Sequence, residues 1–165
     1  MTVATYHRRR SSATGFTMVE LMVTLAIATI LTTVAVPSFS GLIASQRAKT
    51  TGSELFASLL KTRSEAIMRN ANVTVSPLAG AWNQGWKILD PANAANVLES
   101  HGAVAGVTIT TVGPAGGVTY RPSGRVLAGG TASFLITTTS GSSTNYQCIS
   151  LNLSGRPYMQ AASVC

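Results

Sequence analysis

The strongest pattern in the chain is an apolar run at 16–36, FTMVELMVTLAIATILTTVAV, with Glu20 as its single ionisable residue. As a helix, about 21 residues reach roughly 30 Å, the thickness of a bilayer core. Pro37 follows and lacks the N–H that a helix interior uses, so it predicts a kink or the point where the helix leaves apolar surroundings. Beyond it, Leu42, Ile43, Leu55, Phe56, Leu59, Leu60 and Ile67 recur at spacings that include i, i+3 and i+4, among the polar Arg47, Lys49, Lys61 and Arg69. That period predicts an amphipathic helix over 38–71 with one packed face, in which Gly52 is a weak point. After about residue 72 the texture changes to Val, Thr, Gly and Ser. Short strand-like runs at 73–75, 86–89, 107–112, 117–120, 134–139 and 147–153 are separated by Gly, Pro and Ser clusters. The segment 141–145 reads as a turn between two strands. The expected fold is α+β: a long N-terminal helix (transmembrane over 16–37, amphipathic over 38–71) packed on a small, mostly antiparallel β head over 72–165. There is no internal repeat.

Composition sharpens this picture. Charged residues make up 10% of the 165-residue chain and mean hydropathy is +0.28, against roughly 25% charged in an average globular chain. That deficit fits a membrane segment and a surface of Ser, Thr, Asn and Gly. Arg8, Arg9 and Arg10, beside His7, flank the apolar run and predict a cytoplasmic N-terminus. Without those three arginines the net charge falls from +7 to +4, so a sequence pI of 10.1 overstates the basicity of a chain cut at Gly15. Three simpler readings compete for the apolar run. A secretory signal has a shorter core followed by a small-residue cleavage site; Thr33-Val34-Ala35 mimics one, but the run is too long and Pro37 follows closely. A plain membrane anchor leaves Glu20 unexplained, because a carboxylate inside a bilayer costs about 2.5–3.5 kcal/mol even on the lenient scale. A buried core helix does not need the arginine flank.

Candidate chemistry is sparse. Cys148 and Cys165 lie without CxxC or metal-ligand spacing. They read as one disulfide of an oxidising compartment, closing a loop worth about 3 kcal/mol, or as two buried thiols. The histidines are His7 and His101, and the acidic residues after the apolar run are Glu54, Glu65, Asp90 and Glu99. No nucleophile–base motif and no phosphate-binding glycine loop is present, so no catalytic residue, metal site or cofactor is assigned.

The segment Gly15-Phe16-Thr17-Met18-Val19-Glu20-Leu21 after a basic leader resembles the prepilin peptidase signature of type IV pilins and type II secretion pseudopilins. The resemblance implies cleavage between Gly15 and Phe16 by an inner-membrane peptidase, a leader over 1–15, and methylation of Phe16 as the new N-terminus. Glu20 then becomes the fifth residue, pairing with the Phe16 amine of a neighbouring subunit, or of its own chain, and fixing axial register. A paired buried charge is tolerable where an unpaired one is not. The head resembles the GspH/FimT branch of minor pilins and pseudopilins: Arg63-Ser64-Glu65-Ala66, Trp82-Asn83-Gln84-Gly85-Trp86, Tyr120-Arg121-Pro122-Ser123-Gly124-Arg125, then Cys148 and Gly155-Arg156 before Cys165. The implied role is a non-enzymatic minor subunit of a type IV pilus or a type II secretion pseudopilus. Its head is periplasmic, and its partners are other minor and major pilins or pseudopilins, the prepilin peptidase and the inner membrane. The alternative is a pilus-borne DNA receptor. FimT-like pilins of competent bacteria bind DNA through a C-terminal Gly-Arg-x-Arg motif, of which Gly155-Arg156-Pro157-Tyr158 keeps the first arginine only. Arg121, Arg125 and Arg156 are its candidate contacts, since arginine–phosphate pairing dominates non-specific affinity. Convergence of the three on one face favours that role; scatter favours the structural one.

Overall fold

The computed structural model of the chain describes residues 15–113, 116–127 and 132–165, the side chains of 34–38 excepted. The first element is α1, Met18–Met68, 51 residues long. Thr17 caps it: its Oγ1 accepts the N–H of Glu20 at 3.2 Å, in the Thr-x-x-Glu order of a capping box. Glu20 also places its charge in the first turn, where the helix dipole favours an anion. At the other end Asn70 takes a left-handed φ of 49°. The N–H groups of Ala71 and Asn70 return to the carbonyls of Ala66 and Ile67, which is the Schellman closure. At Pro37, where a kink or an exit from apolar surroundings is expected, α1 runs on without ending. A proline removes one hydrogen bond from the ladder, and long helical segments flank it on both sides. The chain nevertheless divides into two units here, one ending at Ser38 and the other comprising Phe39–Cys165.

In the first unit every described side chain over 15–33 is exposed. The threonine hydroxyls are satisfied within the helix: Thr24 donates to Leu21 O, Thr29 to Leu25 O, Thr32 to Ala28 O and Thr33 to Ile30 O. This part of α1 therefore offers little unmet hydrogen-bonding capacity on its sides.

The second unit packs the remainder of α1 with eight strands: β1 Val73–Leu78, β2 Ala81–Leu89, β3 Val97–His101, β4 Thr108–Val112, β5 Val118–Tyr120, β6 Ser133–Ser140, β7 Ser143–Leu151 and β8 Pro157–Gln160. They form two antiparallel sheets rather than one, in the orders β3-β2-β1-β5 and β4-β6-β7-β8. Two strands were not expected. β3 carries Glu99 and His101, which mask its alternation, and β8 opens on a proline that suits only a sheet edge. The β1–β2 hairpin turns through Ala79 and Gly80, both at positive φ, as a primed two-residue turn requires. The 141–145 turn tightens to Gly141-Ser142, with Ser140 facing Ser143.

The packed face of α1 keeps only part of the stripe that the spacing suggested: Leu55 and Leu59 are buried and Phe56 packs at the core edge. Leu42, Ile43, Leu60 and Ile67 are exposed, and the buried line is Ala44, Ala48, Thr51, Leu55, Ser58, Leu59, Thr62 and Ala66. Small side chains make up most of this line, and strand side chains pack onto them. Gly52 is a contact point of this kind: a Cβ there would lie 3.1 Å from Met159 Sδ of β8. Leu55 and Leu59 join Val73, Val75, Trp86, Ile88, Val118 and Tyr120 of the first sheet, and Phe134, Ile136, Ile149 and Leu151 of the second, in one core. Trp82 meets Phe134 edge-to-face, with ring centroids 4.8 Å apart, tying the two sheets together. A disulfide joins Cys148 of β7 to Cys165 and so fastens the C-terminal tail.

Two outcomes check this packing. Leu59→Ala lowers unfolding free energy by about 2–5 kcal/mol, whereas Leu60→Ala on the exposed face changes it by less than about 0.5 kcal/mol. Denaturant titration of the full chain in detergent measures both. Cys165→Ser costs about 3 kcal/mol in the same assay under oxidising conditions, and the difference vanishes when both proteins are reduced.

Candidate assembly site

The leader residues 1–14, with His7 and Arg8–Arg10, lie outside the described residues. Gly15 and Phe16 are described: both are exposed just ahead of the Thr17 cap, and space around Gly15 is open. Glu20 sits one turn into α1 on the same exposed segment. In the full-length chain Phe16 carries an ordinary amide. The amine that a Glu20 pairing needs therefore arises only on cleavage after Gly15. From Phe16 to Leu31 large apolar side chains are exposed on all sides of the helix, which in water is a cost to be offset by lipid or by other helices. Among the described residues no helix is long and apolar enough to cross a membrane. Of the expected span 16–37, the side chains of 34–37 fall outside the described ones.

In the head, three of the resemblance motifs meet at one corner. Tyr120 ends β5 and leads into a turn closed by Gly124 N–H to Arg121 O and Arg121 N–H to Arg125 O, both 2.8 Å. A second turn, 152–155, is built on Asn152, whose Oδ1 accepts from Arg156 N–H at 2.9 Å and from the Ser154 hydroxyl at 2.6 Å. Gly155, at φ 77°, seats the second turn on the first: a Cβ there would strike the Gly124 carbonyl and come within 3.0 Å of the Tyr120 ring and 3.2 Å of Arg125 Cα. Arg63 of α1 donates from Nε to Gly124 O at 2.9 Å. The turns bearing Arg121, Arg125 and Arg156 are thus brought together, and all three side chains are exposed. Arg63 belongs to the same corner and was not among the expected contacts, because its helical position alone says nothing about which loop it meets. Beneath the corner, the Tyr120 hydroxyl is buried with no hydrogen-bond partner among the described residues. Burial pushes its phenol up, and the nearby Arg63 charge opposes that.

Sheet and helix are also joined by polar contacts. Lys61 pairs with Glu99 of β3, and the Glu99 carboxylate raises the Lys61 ammonium above its usual value. Arg69 bridges Glu65 at 2.6 Å and Asp90 at 3.7 Å. Trp86 Nε1 donates to Ser58 Oγ at 2.9 Å. His101, the one histidine in the described head, bonds locally and to α1. No group of three His, Cys, Asp or Glu among the described residues could hold a metal ion.

Comparison with known proteins bears on both halves. Residues 51–155 match the family described as type II transport protein GspH, and residues 10–36 match the prokaryotic N-terminal methylation motif. No curated protein matches the chain. The fold is similar to that of the type IV minor pilin FimU of Pseudomonas aeruginosa, at 22% identity and a TM-score of 0.59, over 73% of this chain and 96% of that one. It is also similar to the minor pseudopilin EpsH from the type 2 secretion system of Vibrio cholerae, at 15% identity and a TM-score of 0.54, over 70% and 97%. These relatives are described as pilins and pseudopilins, none as an enzyme, and none of their descriptions mentions nucleic acid. The DNA expectation therefore gains nothing from them. A capped apolar helix under a methylation motif, leading into a two-sheet head that the GspH family covers over most of its length, leaves one assignment: the chain belongs to the GspH family of pseudopilins and minor pilins.

Proposed function

We propose that the chain is a minor structural subunit of a type IV pilus or type II secretion pseudopilus, held in the bacterial inner membrane by α1 until assembly. Cleavage after Gly15 removes the arginine leader and frees the Phe16 amine, which is then methylated. The subunit leaves the membrane when its apolar helix is taken into a bundle of like helices. The observation that carries this reading is the all-round exposure of apolar side chains over 16–31 with one carboxylate, Glu20, among them. Lipid and a helical fibre core are the two surroundings that remove such a surface from water, and the back-bonded threonines suit both. In either one Glu20 needs a positive partner, and the Phe16 amine of a neighbouring subunit supplies it with a fixed axial offset. The Cys148–Cys165 disulfide fits a head on the oxidising side of the membrane. Neighbouring minor and major pilins or pseudopilins are its partners, through the helix and the head.

Intact mass of protein from host membranes tests the processing. A chain beginning at Phe16 with one added methyl is expected; an intact N-terminus or a cut after Ala35 overturns the reading. Glu20→Ala is expected to leave processing and membrane retention unchanged while lowering recovery of the subunit in sheared fibre fractions about tenfold or more, since an amine left unpaired in an apolar core costs several kcal/mol.

A further inference from the structure

The imidazole of His101, at the end of the edge strand β3, is held from three sides. Its Nδ1 lies 2.9 Å from Gly102 O and its Nε2 lies 3.0 Å from Glu54 Oε2 of α1. Its ring stacks on Trp86 of β2, with centroids 4.2 Å apart and planes at 4°. A carbonyl and an ionised carboxylate only accept hydrogen bonds. Each contact therefore needs its own N–H, and only the doubly protonated ring has two. A charged ring over the indole face adds cation–π attraction. The surroundings are rigid: Trp86 is 1% exposed and its Nε1 donates to Ser58 Oγ, one α1 turn from Glu54. Gly85, at φ 102°, lets β2 close against the His101 carbonyl, where a Cβ would collide.

We propose that His101 is an acid-tightened clasp that fastens β3 and the adjoining 102–106 loop to α1 when its ring carries two protons. The charged groups around it are few. On α1, Glu54 is the partner, and Arg47 shares a groove with it and with Val104; the Arg47 guanidinium reaches toward Gly106. On β3, Glu99 is taken by Lys61. On β2, Lys87 stands opposite Ser100, and Trp86 does not titrate. The 102–106 loop contains no titratable side chain. The pH dependence has a definite sign. The clasp is complete while the ring is charged and Glu54 is ionised. It loses one of its two hydrogen bonds when the ring gives up a proton, and its anionic partner when Glu54 takes one. Fastening is therefore greatest in mild acid. A head outside the cytoplasm meets ambient acidity directly, so an edge strand that tightens there serves a secreted assembly. The chemistry itself holds wherever the head resides.

The test uses the full chain in detergent micelles at about pH 5.5 and about pH 8. Hydrogen exchange over 97–101, corrected for intrinsic rates, is expected to be about two- to tenfold slower at the acid pH, the worth of one hydrogen bond. Imidazole nitrogen shifts should show His101 protonated at both positions there. Glu54→Gln, on a half-exposed helix face that keeps its fold, and His101→Phe, which keeps the stack without an N–H, should each abolish the pH difference. The proposal fails if the difference persists in both variants, if wild-type protection is the same at both pH values, or if the ring holds one proton at about pH 5.5. None of these readings depends on processing or fibre assembly, so they stand or fall apart from the proposed function.

Discussion

Burial of one face of α1 is the constraint on which the rest of the head depends. Leu55 and Leu59 are fully enclosed, and around them the helix presents Ala44, Ala48, Thr51, Gly52, Ser58, Thr62 and Ala66 to the strands. The small residues leave room on this face, and the large side chains that fill it come mainly from the sheets: Trp86, Tyr120, Phe134, Ile136 and Ile149. Polar contacts also cross from the helix to the strands. Ser58 meets the Trp86 indole, Thr138 Oγ1 meets Ala44 O at 2.9 Å, and Glu54 meets His101. Two small sheets with short strands gain from a shared helical backing that spans both.

The same economy appears at the corner of stacked turns. Gly124 and Gly155 both take positive φ and both lie where a side chain would collide. Arg63 ties the end of α1 to the first of these turns. The motif residues that carried the family resemblance in the head are thus largely packing residues, and the arginines beside them are presented by the turns rather than required by them.

What the sequence determined by itself is what depends on local order. The apolar run at 16–36, the length of helix beyond Pro37 and the β character after residue 72 are all written in neighbouring residues, because helix and strand periods are local properties. The processing motif is legible for the same reason, since a peptidase reads contiguous sequence. Only the tertiary structure decided which face of α1 is buried. Hydrophobicity pointed to Leu55, Phe56 and Leu59, which pack on the core, but equally to Leu42, Ile43, Leu60 and Ile67, which are exposed, while small residues complete the buried line. The division into two sheets and the edge strands β3 and β8 were decided there too, and the meeting of Gly124 with Gly155 and the placing of His101 between Trp86 and Glu54 join residues 15 to 47 positions apart. Such pairings are fixed by packing and by sheet register across the whole head, and no window of sequence contains them.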